Sequence, residues 1–241
     1  MNADYQETVS ANYRHVLEQI DKAARSVGRR ADSVRLVVVT KGHPVEAVRC
    51  AIRSGIRLFG ENYVEEARTK MQALAGEADL EWHMIGHVQS RKAALVCEYF
   101  HWIHSLDSLK LAQRLDRFAG ELGLKLPVLL ECNVSGEATK FGWAAWQEQF
   151  WEPLAQEISA VIALPNLEVR GLMTMAPFFS DSELARPFFQ RLRRLRDFLA
   201  SCLPQASWEH LSMGMSGDYL VAIQEGATIV RIGTAIMGAR P

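Results

Sequence analysis

The stretch LVVVTK at residues 36–41 decides the fold. Four apolar residues follow one another without alternation and three are β-branched, which is the pattern of a strand covered on both faces, as in a parallel sheet. Seven more short apolar runs lie outward from it: LFGENY at 58–63, EWHMIGH at 81–87, WIHSLD at 102–107, VLLECNV at 128–134, VRGLMTMA at 169–176, EHLSMG at 209–214 and IVRIGTAIMG at 229–238. Longer helix-period segments separate the runs, so the rhythm is that of βα units. Eight units of about 30 residues need roughly 240, and the chain has 241. The expectation is an α/β protein, a single (β/α)8 barrel over residues 1–241, with an additional amphipathic N-terminal helix at 5–28.

Local signals support the helices. Pro44 falls in a first turn, where a missing N–H costs nothing. Asp107 and Ser108 precede LKLAQRLDRFAGELG, whose Leu109, Leu111, Leu115 and Leu122 give an apolar face that Gly123 ends. Asp181-Ser182 opens a long helix with Leu192, Leu195 and Leu199 on one side. Trp143, Trp146 and Phe150 recur at helical spacing and are expected as a core-facing stripe. No Pro/Gly/Ser-rich linker, repeat or low-complexity tract divides the chain.

Composition narrows the function classes. With 27 basic and 28 acidic residues and 49% apolar content, the chain is neither disordered nor globally suited to nucleic acid. No apolar run reaches the roughly 18 residues of a membrane span, and the N-terminus lacks a signal-peptide pattern. A soluble, cytoplasmic protein is expected. Cys50, Cys97, Cys132 and Cys202 are far apart and are expected as reduced, buried thiols. His83 and His87 are four apart but fall in a strand run without HExxH, and His101 and His104 bracket the next strand; no metal site is expected. Arg191, Arg193, Arg194 and Arg196 are expected on a solvated helix face.

In such barrels the chemistry sits where strands end. Lys41 closes the first run; at the mouth of the barrel its amine is desolvated and suited to attack a carbonyl, the alternative being a lysine snorkelling at a strand end. At the other end of the sequence, Gly214, Gly217, Gly226, Gly233 and Gly238 crowd the last two units beside Ser212-Met213 and Arg231-Ile232-Gly233-Thr234. The loops after the seventh and eighth strands commonly bind phosphate. Ser216 or Gly217 is expected to begin the helix GDYLVAIQEG and turn its amides toward an anion. A carbonyl-seeking lysine opposite a phosphate cup matches the two ends of pyridoxal 5′-phosphate (PLP).

The segments VVVTKGHP (37–44), FGENYVEEA (59–67), WHMIGHVQSRK (82–92), HSLDS (104–108), VSGEATKFG (134–142), RGLMTMAP (170–177), LSMGMSGDYLVAI (211–223) and VRIGTAIMGAR (230–240) together resemble the YggS/PROSC family of pyridoxal-phosphate homeostasis proteins, relatives of the alanine racemase barrel. The resemblance implies that Lys41 carries PLP as a Schiff base, that Asn62 lies near the cofactor, that Ser212 with the backbone of Gly233 and Thr234 holds the phosphate, and that Arg231 approaches the pyridine nitrogen; Met213 and Ser216 are expected among the cofactor-binding residues as well. Where the family often reads Gln-x-Asn-Lys, this chain has Gln89-Ser90-Arg91-Lys92, so Arg91 receives no role.

A permanently cationic guanidinium at the ring nitrogen cannot accept a proton and weakens the ring as an electron sink. The racemase adds a tyrosine base from a further β domain, for which the eight units leave no residues. The expected function is therefore intracellular PLP buffering or delivery without robust catalysis, by a monomer that hands PLP to PLP-dependent apoenzymes and touches neither nucleic acid nor membrane. The alternative is a racemase-like PLP enzyme using a local second base such as Tyr63 or Ser90; a Schiff-base aldolase ranks below both.

Overall fold

The computed structural model describes residues 3–240. After helix α1 (Ala3–Ser26) the chain alternates β1 (Arg35–Val39), α2 (Val45–Arg53), β2 (Leu58–Glu61), α3 (Val64–Ala73), β3 (Glu81–Met84), α4 (Ala93–Tyr99), β4 (Trp102–Leu106), α5 (Leu109–Glu121) and β5 (Leu126–Asn133). It continues through a two-residue strand β6 (Trp143–Ala144), α6 (Trp151–Ile162), β7 (Leu167–Met173), α7 (Arg186–Cys202), β8 (His210–Ser212), α8 (Tyr219–Gln224), β9 (Ile229–Ile232) and α9 (Thr234–Met237). The strands pair in parallel in the order β4-β3-β2-β1-β9-β8-β7-β5, and β4 pairs with β5, so eight strands close on themselves. β6 lies outside the ring, paired only to the end of β5 through Cys132 and Asn133. The expected (β/α)8 barrel with its extra N-terminal helix is what the chain forms.

Side-chain period two divides each strand between two environments. Val38, Ile103, Leu130, Leu172, Leu211, Val230 and Ile232 point outward into the main core between strands and helices. Val37, Leu129, Met173 and Ile229 form a small apolar cluster within the ring. The rest of the interior departs from the branched aliphatic layers usual in such barrels: His83, His104 and Ser212 are fully buried, and Glu131 and Arg231 nearly so. α1 closes the outside where the ring's first and last units meet, burying Val9, Val16, Ile20 and Ala24 against α2, α8 and α9.

Several local expectations are corrected. The last run, 229–238, is not one strand: β9 ends at Ile232, and Gly233 opens the short helix α9. Trp143, Trp146 and Phe150 make no helical stripe. Trp143 belongs to β6 and donates its indole N–H to Leu106 O, whereas Trp146 and Phe150 are exposed. Three thiols are buried as expected, but Cys202 is exposed at the end of α7. The arginines of α7 are on its polar side and paired, Arg193 with Glu225 and Arg194 with Glu148. Ser108 caps α5 by accepting from Leu111 N, and Gly123 follows with φ 67°, as the sequence implied. Among the described residues no helix is long and apolar enough to cross a membrane.

Candidate functional site

A cavity of about 290 Å³ opens at the C-terminal ends of β1, β2, β7, β8 and β9, at the lower end of the size range of small-ligand clefts. Lys41, Asn62, Ser216, Arg231, Gly233 and Thr234 all line it, so residues spread over almost two hundred positions converge on one space.

Lys41 sits in the turn that leaves β1. That turn is fixed from behind: Thr40 Oγ1 donates to Glu61 Oε1 at 2.6 Å, and the buried Lys70 ammonium donates to Thr40 O at 2.7 Å and to Glu61 Oε1 at 2.7 Å. Gly42 follows with φ 73°, a conformation that side-chain-bearing residues avoid, and gives its N–H to Glu66 Oε1 at 2.7 Å. The carboxylates near Lys41 are thus occupied by Lys70, and Lys41 itself makes no hydrogen bond or ion pair among the described residues. Burial, followed by the charges of Arg240 and Arg231, holds its pKa below the ordinary lysine value. This raises the fraction of nucleophilic amine near neutral pH.

Arg231 enters the ring from β9. Its NH1 donates to Ser212 Oγ at 2.6 Å and its NH2 to Thr174 O at 2.9 Å, a two-point hold that fixes the guanidinium plane. Burial pushes its pKa down to about 10, partly offset by the carboxylates of Glu131 and Asp218, so it stays cationic at neutral pH. Asn62, in the loop after β2, has its side-chain oxygen buried without a partner, which leaves an unmet polar group in the wall. The two C-terminal loops are stitched together by Ala235 N donating to Ser216 Oγ at 3.4 Å.

Two expected site residues do not line this cavity. Ser212 is fully buried inside the ring, bonded to Arg231 and to His104, and Met213 packs outward into the main core. Neither lines the cavity, because β8 ends at Ser212 and the mouth is reached only at Met215 to Asp218. Nor does a helix begin at Ser216 or Gly217: α8 starts at Tyr219 behind Asp218, whose carboxylate instead accepts from Met215 N at 2.6 Å. The wall residues Met175, Ala176 and Pro177 and the rim residues His43 and Arg240 lie inside the segments that carry the family resemblance but were given no role there, and Phe178 and Phe179 lie just beyond them.

The geometry fits PLP: an amine on one wall, a fixed cation on the floor, loop backbone with Ser216 and Thr234 on a third side, and an unpartnered amide in Asn62. Comparison with known proteins points the same way. Residues 14–241 match the alanine racemase N-terminal-domain family. The chain is 44% identical over 237 residues to the pyridoxal phosphate homeostasis protein of Vibrio alginolyticus, covering 97% of this chain and 98% of that one. It is 44% identical over 233 residues to the protein of the same name from Pseudomonas aeruginosa, covering 97% and 96%. PipY of Synechococcus elongatus, solved with PLP bound, superposes with a TM-score of 0.79 at 38% identity, over 91% of this chain and all of that one. Alanine racemase of Clostridium difficile, at 17% identity and a TM-score of 0.67, shares the fold over 96% of this chain and 57% of its own. The chain belongs to the pyridoxal phosphate homeostasis protein family, within the alanine racemase N-terminal-domain fold.

Proposed function

We propose that this protein binds PLP in the cavity at the mouth of the barrel, holds it as a Schiff base on Lys41, and serves as a store or carrier of the cofactor rather than as an efficient catalyst. The observation that carries the reading is the desolvated, unpaired Lys41 amine sharing a cavity with the fixed Arg231 cation. When bound, PLP supplies an aldehyde that condenses with an amine with loss of water, a phosphate, and an aromatic ring that is a strong electron sink when its nitrogen is protonated and a weak one otherwise. Lys41 provides the amine. Ser216 and Thr234, with the backbone of Gly233, face the phosphate. Ser212, from beneath, acts through Arg231 rather than on the phosphate itself.

Arg231 keeps the ring nitrogen from gaining a proton, because a guanidinium offers only donors and stays charged far above neutral pH. That disfavours carbanion chemistry and favours reversible storage. The reading extends to one domain spanning 1–241, acting as a monomer in the cytoplasm and passing PLP to apoenzymes. The visible spectrum tests it. Purified protein mixed with PLP is expected to turn yellow, to lose the colour on borohydride reduction with the label fixed on Lys41, and to stay colourless as Lys41→Ala. A wild-type protein that remains colourless overturns PLP binding. Amino-acid racemisation above the Lys41→Ala background overturns the storage role in favour of an enzyme.

A further inference from the structure

Beneath the cavity a polar row crosses the ring. Arg231 NH1 lies 2.6 Å from Ser212 Oγ, which lies 2.9 Å from His104 Nδ1; His104 Nε2 lies 2.8 Å from His83 Nδ1, and His83 Nε2 lies 2.9 Å from Glu81 Oε1. Arg35 NH2 closes the far end on both Glu81 oxygens, at 2.8 and 2.9 Å. β4 and β8 are not neighbours in the sheet, since β5 and β7 lie between them, so the His104–Ser212 bond crosses the interior and ties non-adjacent strands together.

The two ends fix the direction of every bond. A guanidinium only donates and a carboxylate only accepts. Hydrogen bonding from His83, with Arg35 adding to it, holds the Glu81 carboxyl down to about 2, so it is an acceptor at neutral pH. His83 must therefore present Nε2–H to Glu81, leaving Nδ1 as an acceptor for His104 Nε2–H. His104 Nδ1 then accepts from Ser212 O–H, whose oxygen accepts from Arg231. Reversing any one bond sets a ring lone pair against the Glu81 carboxylate or leaves a buried donor unmatched, which costs about 1–3 kcal/mol per group. Each imidazole needs only one proton. The charged and titratable groups around His83 are Glu81, Arg35, His101 and His104, and those around His104 are His83, Arg231, Arg35 and His210. Burial opposes a second proton on either ring, and Glu81 is the one acidic group among those neighbours.

We propose that His83 and His104 are positioning residues for Arg231: the one-way row from Arg231 to Glu81 holds the Ser212 lone pair toward the guanidinium, so that the remaining Arg231 N–H groups point into the cavity. The proposal rests on the PLP reading for what those N–H groups meet, the ring nitrogen, but the row itself stands on geometry alone.

Nitrogen NMR of the histidine rings in the unmodified protein tests the row. Both rings are expected as the Nε2–H form, unchanged from roughly pH 5.5 to 8; an Nδ1–H form or a doubly protonated ring overturns it. Two variants test the positioning. His104→Gln keeps an acceptor and a donor in line, whereas His104→Leu keeps only bulk. PLP affinity is expected to fall about tenfold in the leucine variant, with a shifted visible band, and to stay within about threefold in the glutamine variant. Equal affinities and equal band positions in the two overturn the role. Normal PLP uptake with the wrong tautomers fails the row and leaves the cofactor reading intact. No uptake with the right tautomers fails the cofactor reading and leaves the row as the device that aims Arg231.

Discussion

Glu131 shows how far a single residue can depart from its sequence context. It ends the inward side of β5, 4% exposed, with one carboxyl oxygen unpartnered. Burial pushes its pKa up to about 7, the nearby Asp107 adds to the shift, and Arg231 opposes it. The folded state therefore holds a proton that the unfolded chain releases near pH 4.5, so stability falls as pH rises from about 4.5 to about 7 and stays lower above. Glu131→Gln is expected to be neutral at pH 4.5 and stabilising by up to about 3 kcal/mol at pH 8. Urea unfolding at the two pH values checks this, and a variant destabilised at pH 8 would refute it. Lys41 was legible because a lysine closing an apolar run is conspicuous. Ser212 needed one further step to place: period two from the outward Leu211 and Met213 turns it inward, below the mouth, against Arg231. The row through His83 and His104 was not legible, since the two meet across the neighbouring strands β3 and β4 but His104 reaches Ser212 on β8, which comes near it only because the ring closes.

Elements position the site through carbonyls that no side-chain pattern reveals. α1 donates from Tyr5 O–H to Met237 O at 2.9 Å and from Asn12 Nδ2 to Ile236 O at 3.2 Å. Both acceptors lie at the end of α9, whose first residue, Thr234, lines the cavity beside Gly233. The N-terminal helix, read from sequence only as an amphipathic addition, thus anchors a cavity wall. Tyr5→Phe with Asn12→Ala is expected to lower stability by about 1 kcal/mol per bond. PLP binding should weaken several-fold at the same time, by loosening Gly233 and Thr234. Titration of PLP against the double variant decides it; unchanged affinity at reduced stability would show that α1 supports the barrel but not the site. The βα rhythm itself was legible because two-sided burial leaves unbroken apolar runs. β6 was not, since two residues carry no period, and IVRIGTAIMG was overextended because apolar residues continue through Gly233 into α9.

At the scale of the molecule, a net charge of −1 offers no long-range attraction for an anionic ligand. What draws one is local: Lys41, Arg231 and Arg240 share the cavity, while Glu61 and Glu66 on the same side are tied up by Lys70. Arg240 is the exposed member of the three, and its side chain lies across Gly42, where an added Cβ would sit 2.9 Å from Arg240 Cδ. An exposed charge acts over about 30 Å at 0.01 M salt and under about 10 Å above 0.1 M. PLP affinity is therefore expected to fall several-fold across that range. Arg240→Ala should weaken binding up to about fivefold at low salt and much less at high salt, as an exposed pair of about 1 kcal/mol or less requires. The same substitution removes a charge that holds the Lys41 pKa down. The Lys41 pKa then rises, the fraction of neutral amine at a given pH falls, and the pH at which half the protein is coloured moves upward. Measured together, the salt and pH series separate the two roles of Arg240. A weaker but pH-unshifted variant would assign it to the phosphate alone, and a shift without weakening would assign it to Lys41.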